Sequence, residues 1–431
     1  MLDDKLNHCR FPVVTLEDLI IDKNGVKDGP GGWLINKSEY VENGVPMLRG
    51  LNVLDGRVDL KNVVYITEEK NRQLSASEAL PGDILITMRG TFGRAAILPD
   101  SITKANMNAA LCRIRLQCPE LSDYLMWYLN SQIAYKQFKR HGTKAVQDDL
   151  NLGYIKALRV ILPDERSRND ILSRLLNAQK TSMQKLQQAD ELLDGMSDSI
   201  LSALNLSLSD CQKKLCGAVK LSDILGDTTF SAEYYHPERL TAIQSLKASK
   251  GLEVKRLSEV VDFCRDIVSV SESPDKYLGL AGVESQTGEL SGVNEEAAGQ
   301  AFAYQAEDVL YGRLRPYLNK VLLAEDEGIC STEFHVMRVK DKTVILPEYL
   351  SAIMRSNLIL AQTKHMMTGN THPRIANDDV KNLYIPIPDI DTQEKIVAGL
   401  SKRRLEARKL KIEAEQDWQA AKAQFEKELL S

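Results

Sequence analysis

The sequence has no basic excess. Lys and Arg number 55 against 60 Asp and Glu, a net charge of −5, and this balance argues mildly against nucleic acid as a partner of the chain alone. Cysteine is sparse: seven residues at 9, 112, 118, 211, 216, 264 and 330, an odd number with no C-x-x-C pair. That spacing favours scattered reduced thiols over a disulfide framework, with a structural zinc as the lesser alternative. No stretch of about 18 apolar residues occurs, and the start, MLDDKLNHCRFPVV, lacks the basic and apolar segments of a secretory signal. A soluble, cytoplasmic protein is therefore expected. Several enzyme signatures are missing too. There is no N-P-P-Y or D-P-P-Y string for a flipped adenine, no F-x-G-x-G loop for a methyl donor, no G-x-x-x-x-G-K-[ST] and no H-E-x-x-H.

What is present is ordinary globular material, 43% hydrophobic and 27% charged, too apolar for a mainly disordered chain. At roughly 100–200 residues per domain, the length predicts about three units. The chain also repeats itself. PGDILITMRGTFGRAAIL (81–98) aligns with AEDVLYGRLRPYLNKVLL (306–323) at an offset of 225, pairing Asp83 with Asp308, Leu85 with Leu310 and Leu98 with Leu323. The same offset pairs Tyr124 and Leu125 with Tyr349 and Leu350, Ser131 with Ser356, Leu158 with Leu383, Pro163 and Asp164 with Pro388 and Asp389, and Ile171 with Ile396. Register kept over about ninety positions points to a duplication. Upstream, MLRGLNV (47–53) matches YLGLAGV (277–283) at 230, so residues were gained or lost between these stretches, where loops tolerate them.

Each half has the same order of parts. Short Val/Ile/Leu runs broken by Gly, Pro and Asp read as strands and turns, and an amphipathic segment follows (YLMWYLNSQIAYKQF, YLSAIMRSNLILAQT). Then come a loop, HGTKAVQDD or MTGNTHPRIANDD, and a strand ending in proline, LRVILPD or LYIPIPD. Beyond each proline lies a long helical pattern. In 164–204 the positions Leu172, Leu176, Gln179, Met183, Leu186, Asp190, Leu193, Ser197, Ile200 and Leu204 step by four and three, a coiled-coil seam interrupted by Asp190 and Ser197. In the C-terminal stretch Ile396, Leu400, Ala407, Leu410, Ala414, Trp418, Ala421, Phe425 and Leu429 form one stripe. About 39 helical residues extend roughly 58 Å. Two helices of matched length most simply pack on each other; the alternative is that each lies across its own domain. The expected fold is α+β: two similar mixed α/β domains at 1–163 and 205–388, the second preceded by a linker in which His236-Pro237 breaks local structure, and helices at 164–204 and 389–431.

This pattern resembles the DNA-specificity (S) subunits of Type I restriction-modification systems. The resemblance covers nearly the whole chain. It rests on the duplicated strand-turn strings above, on ILPDERSRNDIL and IPIPDIDTQEKI opening the helices, on LQQADELLDGM, and on FSAEYYHPERL opening the second half. It implies two target recognition domains, each reading one half of a split DNA sequence. It further implies that the long helices form an antiparallel coiled-coil spacer in a pseudo-twofold molecule. Two methyltransferase (modification) subunits would dock on that spacer, and restriction/translocase subunits would join them. A rigid rod between two reading heads makes half-site spacing a mechanical consequence of helix length. The chain itself is then non-catalytic and carries no cofactor, with S-adenosylmethionine, ATP and Mg in the partner subunits.

Candidate DNA contacts fall in the polar turns. The turn after LITM offers Arg89, Gly90, Thr91, Gly93 and Arg94, followed by Lys104, Asn106 and Asn108; its counterpart offers Arg313, Arg315, Tyr317, Asn319 and Lys320, then Thr332, Glu333 and His335. Arg, Lys and Asn bind phosphate oxygens and read guanine or adenine edges. The loop before the last strand adds Gly142, Thr143, Lys144 and Gln147 in one half and Gly369, Asn370, Thr371, His372 and Arg374 in the other. Arg49 and Asn52 are a third set, Arg49 having no basic counterpart at Gly279. The competing reading is that these are solvated turn residues of an α/β scaffold, with His372 as a cap or turn residue. Two functional rivals stand beside DNA recognition. One is a coiled-coil scaffold joining two protein-binding heads. The other is a metal-dependent nuclease using the recurring pairs Asp148-Asp149 and Asp378-Asp379, for which a turn or capping role is the alternative. The acidity is local: residues 216–390 carry 18 basic and 25 acidic residues, whereas 1–160 carry 21 and 19.

Overall fold

Strands of this chain are short, and the central ones are apolar on both faces. The computed structural model describes all residues except 1, 32, 33, 142–149, 209–218, 220–231, 273–275, 294, 296–298 and 370. Contacts divide the chain into two units, one of Met1–Gln184 with Glu413–Ser431 and one of Lys185–Ile412, and the division cuts both long helices. No helix among the described residues is long and apolar enough to cross a membrane.

In the first unit an antiparallel sheet runs in the order Val26–Asp28, Leu111–Ile114, Ile84–Thr87, Ala95–Ile97. A second sheet runs Val64–Ile66, Val45–Leu48, Ala105–Met107, Glu78–Ala79, with one parallel pair that sets Met47 opposite Asn106. The period of two along a strand sends alternate residues of Ile84–Thr87 to different cores. Ile84 and Ile86 pack with Tyr124, Trp127 and Phe138, while Leu85 packs with Leu48, Ala105 and Met107. Burying each such side chain contributes about 1.5–3 kcal/mol.

The second unit has the same plan. Its antiparallel sheet runs Val261–Cys264, Phe334–Val339, Val309–Gly312, Val321–Leu323, and its other sheet contains one parallel pair with Tyr277 opposite Ile329. Met47 and Tyr277 are 230 apart, the drifted upstream offset. Val309 and Tyr311 enter one core and Leu310 another, as their counterparts do.

Each long helix starts on a capping aspartate behind a proline. The Asp164 carboxylate accepts from the Ser167 amide at 3.0 Å, and Asp389 accepts from the Thr392 amide at 2.9 Å and its hydroxyl at 2.8 Å. These bonds hold both carboxyls below their usual range. The helices are Glu165–Asp194, broken by Gly195 before Met196–Ala203, and Ile390–Leu429. In the first unit Arg174 pairs with Glu428 and the Ser182 hydroxyl donates to the Ala414 carbonyl at 2.9 Å, so the two segments run in opposite directions. In the second, Lys411 lies 3.1 Å from Asp190, and Ile396 and Leu400 share a core with Met196 and Ile200.

The C-terminal stripe is buried at Ile396, Leu400, Ala407, Ala414, Phe425 and Leu429. The earlier helix departs from its expected seam by one residue. Leu176, Met183, Leu186 and Asp190 are exposed, and Leu175, Ser182 and Ala189 are buried in their place. Close approach selects the small residues. A second departure is at His236-Pro237, which starts a helix, Pro237–Ala248, rather than breaking one: proline takes the first helical position and His236 Nδ1 accepts from the Glu238 amide at 3.3 Å.

Candidate nucleic-acid interface

The polar turns are held by a framework that recurs in both units. Asp83 is buried and receives two bonds from Arg115, both 2.7 Å; Asp308 is buried and receives two from Arg338, at 2.8 and 2.7 Å. Each aspartate also accepts from the amide three residues before it, Leu80 or Gln305. Gln137 braces the last strand by exchanging bonds with the Arg159 backbone, and Gln362 does the same with the Tyr384 backbone. Tyr124 donates to the Ile161 carbonyl, Tyr349 to that of Pro386. The glutamine and arginine braces escape sequence reading, since polar residues inside apolar segments carry no periodic signal.

On this framework the turns that follow the two central strands differ. The turn Thr87–Arg94 closes through the Thr87 hydroxyl, which donates to the Thr91 carbonyl at 2.7 Å and accepts from the Arg94 amide at 3.0 Å. Gly90 has φ +73°, and Arg315, at the same offset of 225, has φ +49°. A left-handed arginine carries strain that glycine avoids.

In the second unit the two candidate segments come together. The Ile375 amide donates to the Arg313 carbonyl at 3.1 Å and the Arg315 amide to the Pro373 carbonyl at 2.7 Å. Arg374 forks onto Glu333 with contacts of 2.7 to 3.0 Å, which raises its pKa, and the Arg313 amide bonds the Glu333 carbonyl. One end of this unit thus gathers Arg313, Arg315, Thr332, His372 and Arg374, with Arg315, Tyr317, Thr371 and His372 exposed. In the first unit the Leu150 amide donates to the Met88 carbonyl, the counterpart of the bond from Ile375 to Arg313. Thr143, Lys144 and Gln147, with Gly142, lie outside the described residues, as does Asn370.

Other candidates have partners within the protein. Arg94 faces Asp55 at 3.5 Å, and Lys104 lies 2.6 Å from Glu68. Arg89 and Thr91 are exposed. Arg49 donates to the Asn62 carbonyl, Lys320 to that of Leu280 at 2.7 Å, and Asn108 accepts from the Ala110 amide at 3.1 Å. Three of the candidate asparagines lie in the interior. Asn52 bonds the Arg49 amide and the Asp59 carbonyl; Asn106 bonds Asn71, Ser77 and the Leu74 carbonyl; Asn319 bonds Gln286 and the Arg355 carbonyl. All three are buried, and each amide nitrogen donates to a group within the protein.

Two clusters bear on the metal readings. Asp378, exposed, pairs with Lys381 in the first turn of Asn377–Lys381, and half-buried Asp379 is pushed up by burial, which suits a helix start more than a metal cradle. Asp148 and Asp149 lie outside the described residues. His236, Glu238 and His365 bring ligand-type atoms within 4.8 Å of one another. Their geometry does not converge. The imidazoles stack at 3.5 Å with planes 13° apart, so their in-plane lone pairs run side by side, and Glu238 is already bonded to Lys364 at 2.6 Å and to His365 at 3.0 Å.

Residues 250–416 match the family described as the Type I restriction modification DNA specificity domain. Over 285 residues the chain is 22% identical to the Type I restriction enzyme EcoDI specificity subunit of Escherichia coli, covering 64% of this chain and 61% of that relative. It therefore spans about three fifths of that relative's length. To the HindI specificity subunit of Haemophilus influenzae it is 31% identical over 114 residues, 25% of each chain. Among solved structures, the Type I restriction-modification S subunit of M. genitalium is 12% identical, with a TM-score of 0.43 covering 98% of this chain and 96% of that one. The stretch 250–416 is thus similar to the Type I restriction modification DNA specificity domain, and the wider chain to specificity subunits of Type I restriction enzymes.

Proposed function

We propose that the chain is the DNA sequence-specificity subunit of a Type I restriction-modification complex, recognising a split target with one half-site per unit. The observation that carries this reading is the recurrence of one hydrogen-bonded framework in both units, with different side chains on the turns that it holds. A constant frame with variable polar tips suits two heads that read different sequences, so the half-sites need not match. Arg315, Tyr317, His372 and Arg374 are proposed contacts of one head, and Arg89, Thr91 and Arg94, with Thr143, Lys144 and Gln147, those of the other. Lys104, Asn108, Arg49, Arg313, Lys320 and Thr332 stand behind them as supports or phosphate contacts.

The same reading makes the long helices an antiparallel coiled-coil spacer in a pseudo-twofold molecule, on which two methyltransferase subunits dock. Exposed Leu176, Met183, Leu186, Leu405 and Ile412 support it, because apolar residues this large left in water on helices suit a helical partner. The chain is proposed to be non-catalytic: S-adenosylmethionine, ATP and Mg belong to the methyltransferase and restriction subunits. An electrophoretic mobility shift with and without the methyltransferase subunit tests the reading. A sequence-specific shift that strengthens with the partner is expected. No specific shift in either case would leave a protein scaffold as the better account.

A further inference from the structure

Strand register equates three positions of the two units that differ in chemistry. Ile86 lies opposite Cys112 in one sheet and Tyr311 opposite His335 in the other, so His335 stands where the first unit has Cys112. One step beyond each central strand, Arg313 stands where the first unit has Met88. On the neighbouring strand Lys27 pairs with Arg113 and Cys264 with Val336, which sets Arg265 in the place of Asp28. Met88 and Cys112 are buried and close their site with apolar atoms.

In the second unit the three replacements border a cavity of about 70 Å³, walled by Phe263 and Phe302 and joined by Asn377. His335 is 5% exposed. Its Nε2 and the Arg313 Nε are both buried without a hydrogen-bond partner. The flanking carboxylates are committed elsewhere, Glu333 to Arg374 and Asp308 to Arg338. The charges acting on His335 are Arg313, Arg265 and Lys381, all positive, and together with burial they keep the imidazole neutral. The site therefore has positive charge and unfilled donors, in a space too small for a nucleobase.

We propose that this cavity is an oxyanion site that seats one phosphate group, with Arg265 and Arg313 as its cationic arms and His335 and Asn377 as neutral groups behind them. Guanidinium forks match the geometry of phosphate oxygens, and a neutral imidazole adds one donor without a further charge to desolvate. Resting on the DNA-recognition reading, the source is a backbone phosphate of the half-site read by this unit; free phosphate has the same chemistry. The site belongs to the second unit alone, since Asp28 reverses the charge at the matching place in the first.

Two measurements on the full chain test this. Inorganic phosphate is titrated into protein labelled with ¹³C at histidine, with chloride compensating ionic strength. The His335 resonance is expected to shift saturably, and not to do so in Arg313→Met, which installs the residue the first unit carries there. DNA affinity is then followed against salt, with the methyltransferase partner present, for wild type, Arg313→Met, Arg313→Lys and Arg265→Ala. A phosphate contact predicts a loss of roughly tenfold, alike on all sequences, and a salt slope lowered by about one for Arg313→Met and Arg265→Ala, with partial retention in Arg313→Lys. A saturable shift with unchanged DNA slopes assigns the site to free phosphate. If wild type binds no DNA, the recognition reading fails and the phosphate titration alone decides the cavity. No saturable shift at His335 together with unchanged slopes overturns the proposal.

Discussion

Two aspartates, 225 residues apart, make the same bond pattern, and that pattern is the residue-scale signature of the duplication. Asp83 and Asp308 are buried while their arginines are about one-third exposed, so part of each pair is screened. Asp83→Asn and Asp308→Asn are each expected to cost about 2–3 kcal/mol, below the range for a fully buried pair. Urea midpoints measure this; a change below about 0.5 kcal/mol in either variant would class the pair as surface decoration. His335 supplies a pH dependence. Burial and three positive neighbours push it from 6.5 down to about 3, so the unfolded chain takes up its proton first as pH falls. Stability attached to the neutral ring is complete above about 6.5 and falls towards pH 3, by up to about 1.4 kcal/mol per pH unit. His335→Cys should flatten that slope, as read from unfolding midpoints at pH 7, 6, 5 and 4. A slope unchanged by the substitution would show that His335 titrates normally. Neither feature is legible in the sequence: the repeat aligns Asp83 with Asp308, but their arginine partners lie about thirty positions further on, and Arg265 belongs to no motif.

Elements were more legible than residues, with one instructive slip. The repeat located both sets of strands and both long helices, because proline, capping aspartate and apolar period all mark the same boundaries at 163–165 and 388–390. The seam of the earlier helix moved by one residue because Ile171-Leu172, Leu175-Leu176 and Leu192-Leu193 are apolar doublets that fit either phase. What decides the phase is size: Ser182 and Ala189 allow close approach, and the Ser182 hydroxyl bonds the facing helix backbone. Ala189→Leu is therefore expected to overpack and cost about 1–3 kcal/mol. Met183→Lys, at a position 61% exposed, should change stability by less than about 0.5 kcal/mol while weakening capture of the methyltransferase subunit. Thermal unfolding and pull-down with that subunit check both; a destabilised Met183→Lys would restore the seam expected from sequence. Gln137 and Gln362 make a similar point, since each satisfies both polar groups of a strand residue and neither lies on an apolar stripe.

For the whole molecule the charge of −5 and the proposed role pull in opposite directions, and the distribution reconciles them. The acidity lies mostly in 216–390, and there two adjoining segments still bring exposed Arg315 and His372 together with half-buried Arg374. Weak DNA binding by the chain alone is expected, with much of the salt-dependent attraction coming from the methyltransferase partners. A salt slope that does not steepen when the partner is added would contradict that division of labour. The most direct test of the central claim is methylome sequencing of a host with and without the gene, repeated with Arg315, His372 and Arg374 replaced. The account predicts a split methylated motif with a fixed gap, present only with the gene, in which the replacement alters one half-site and leaves the other and the gap unchanged. A motif that is absent, or that is contiguous, or whose two halves both change with that replacement, would contradict it.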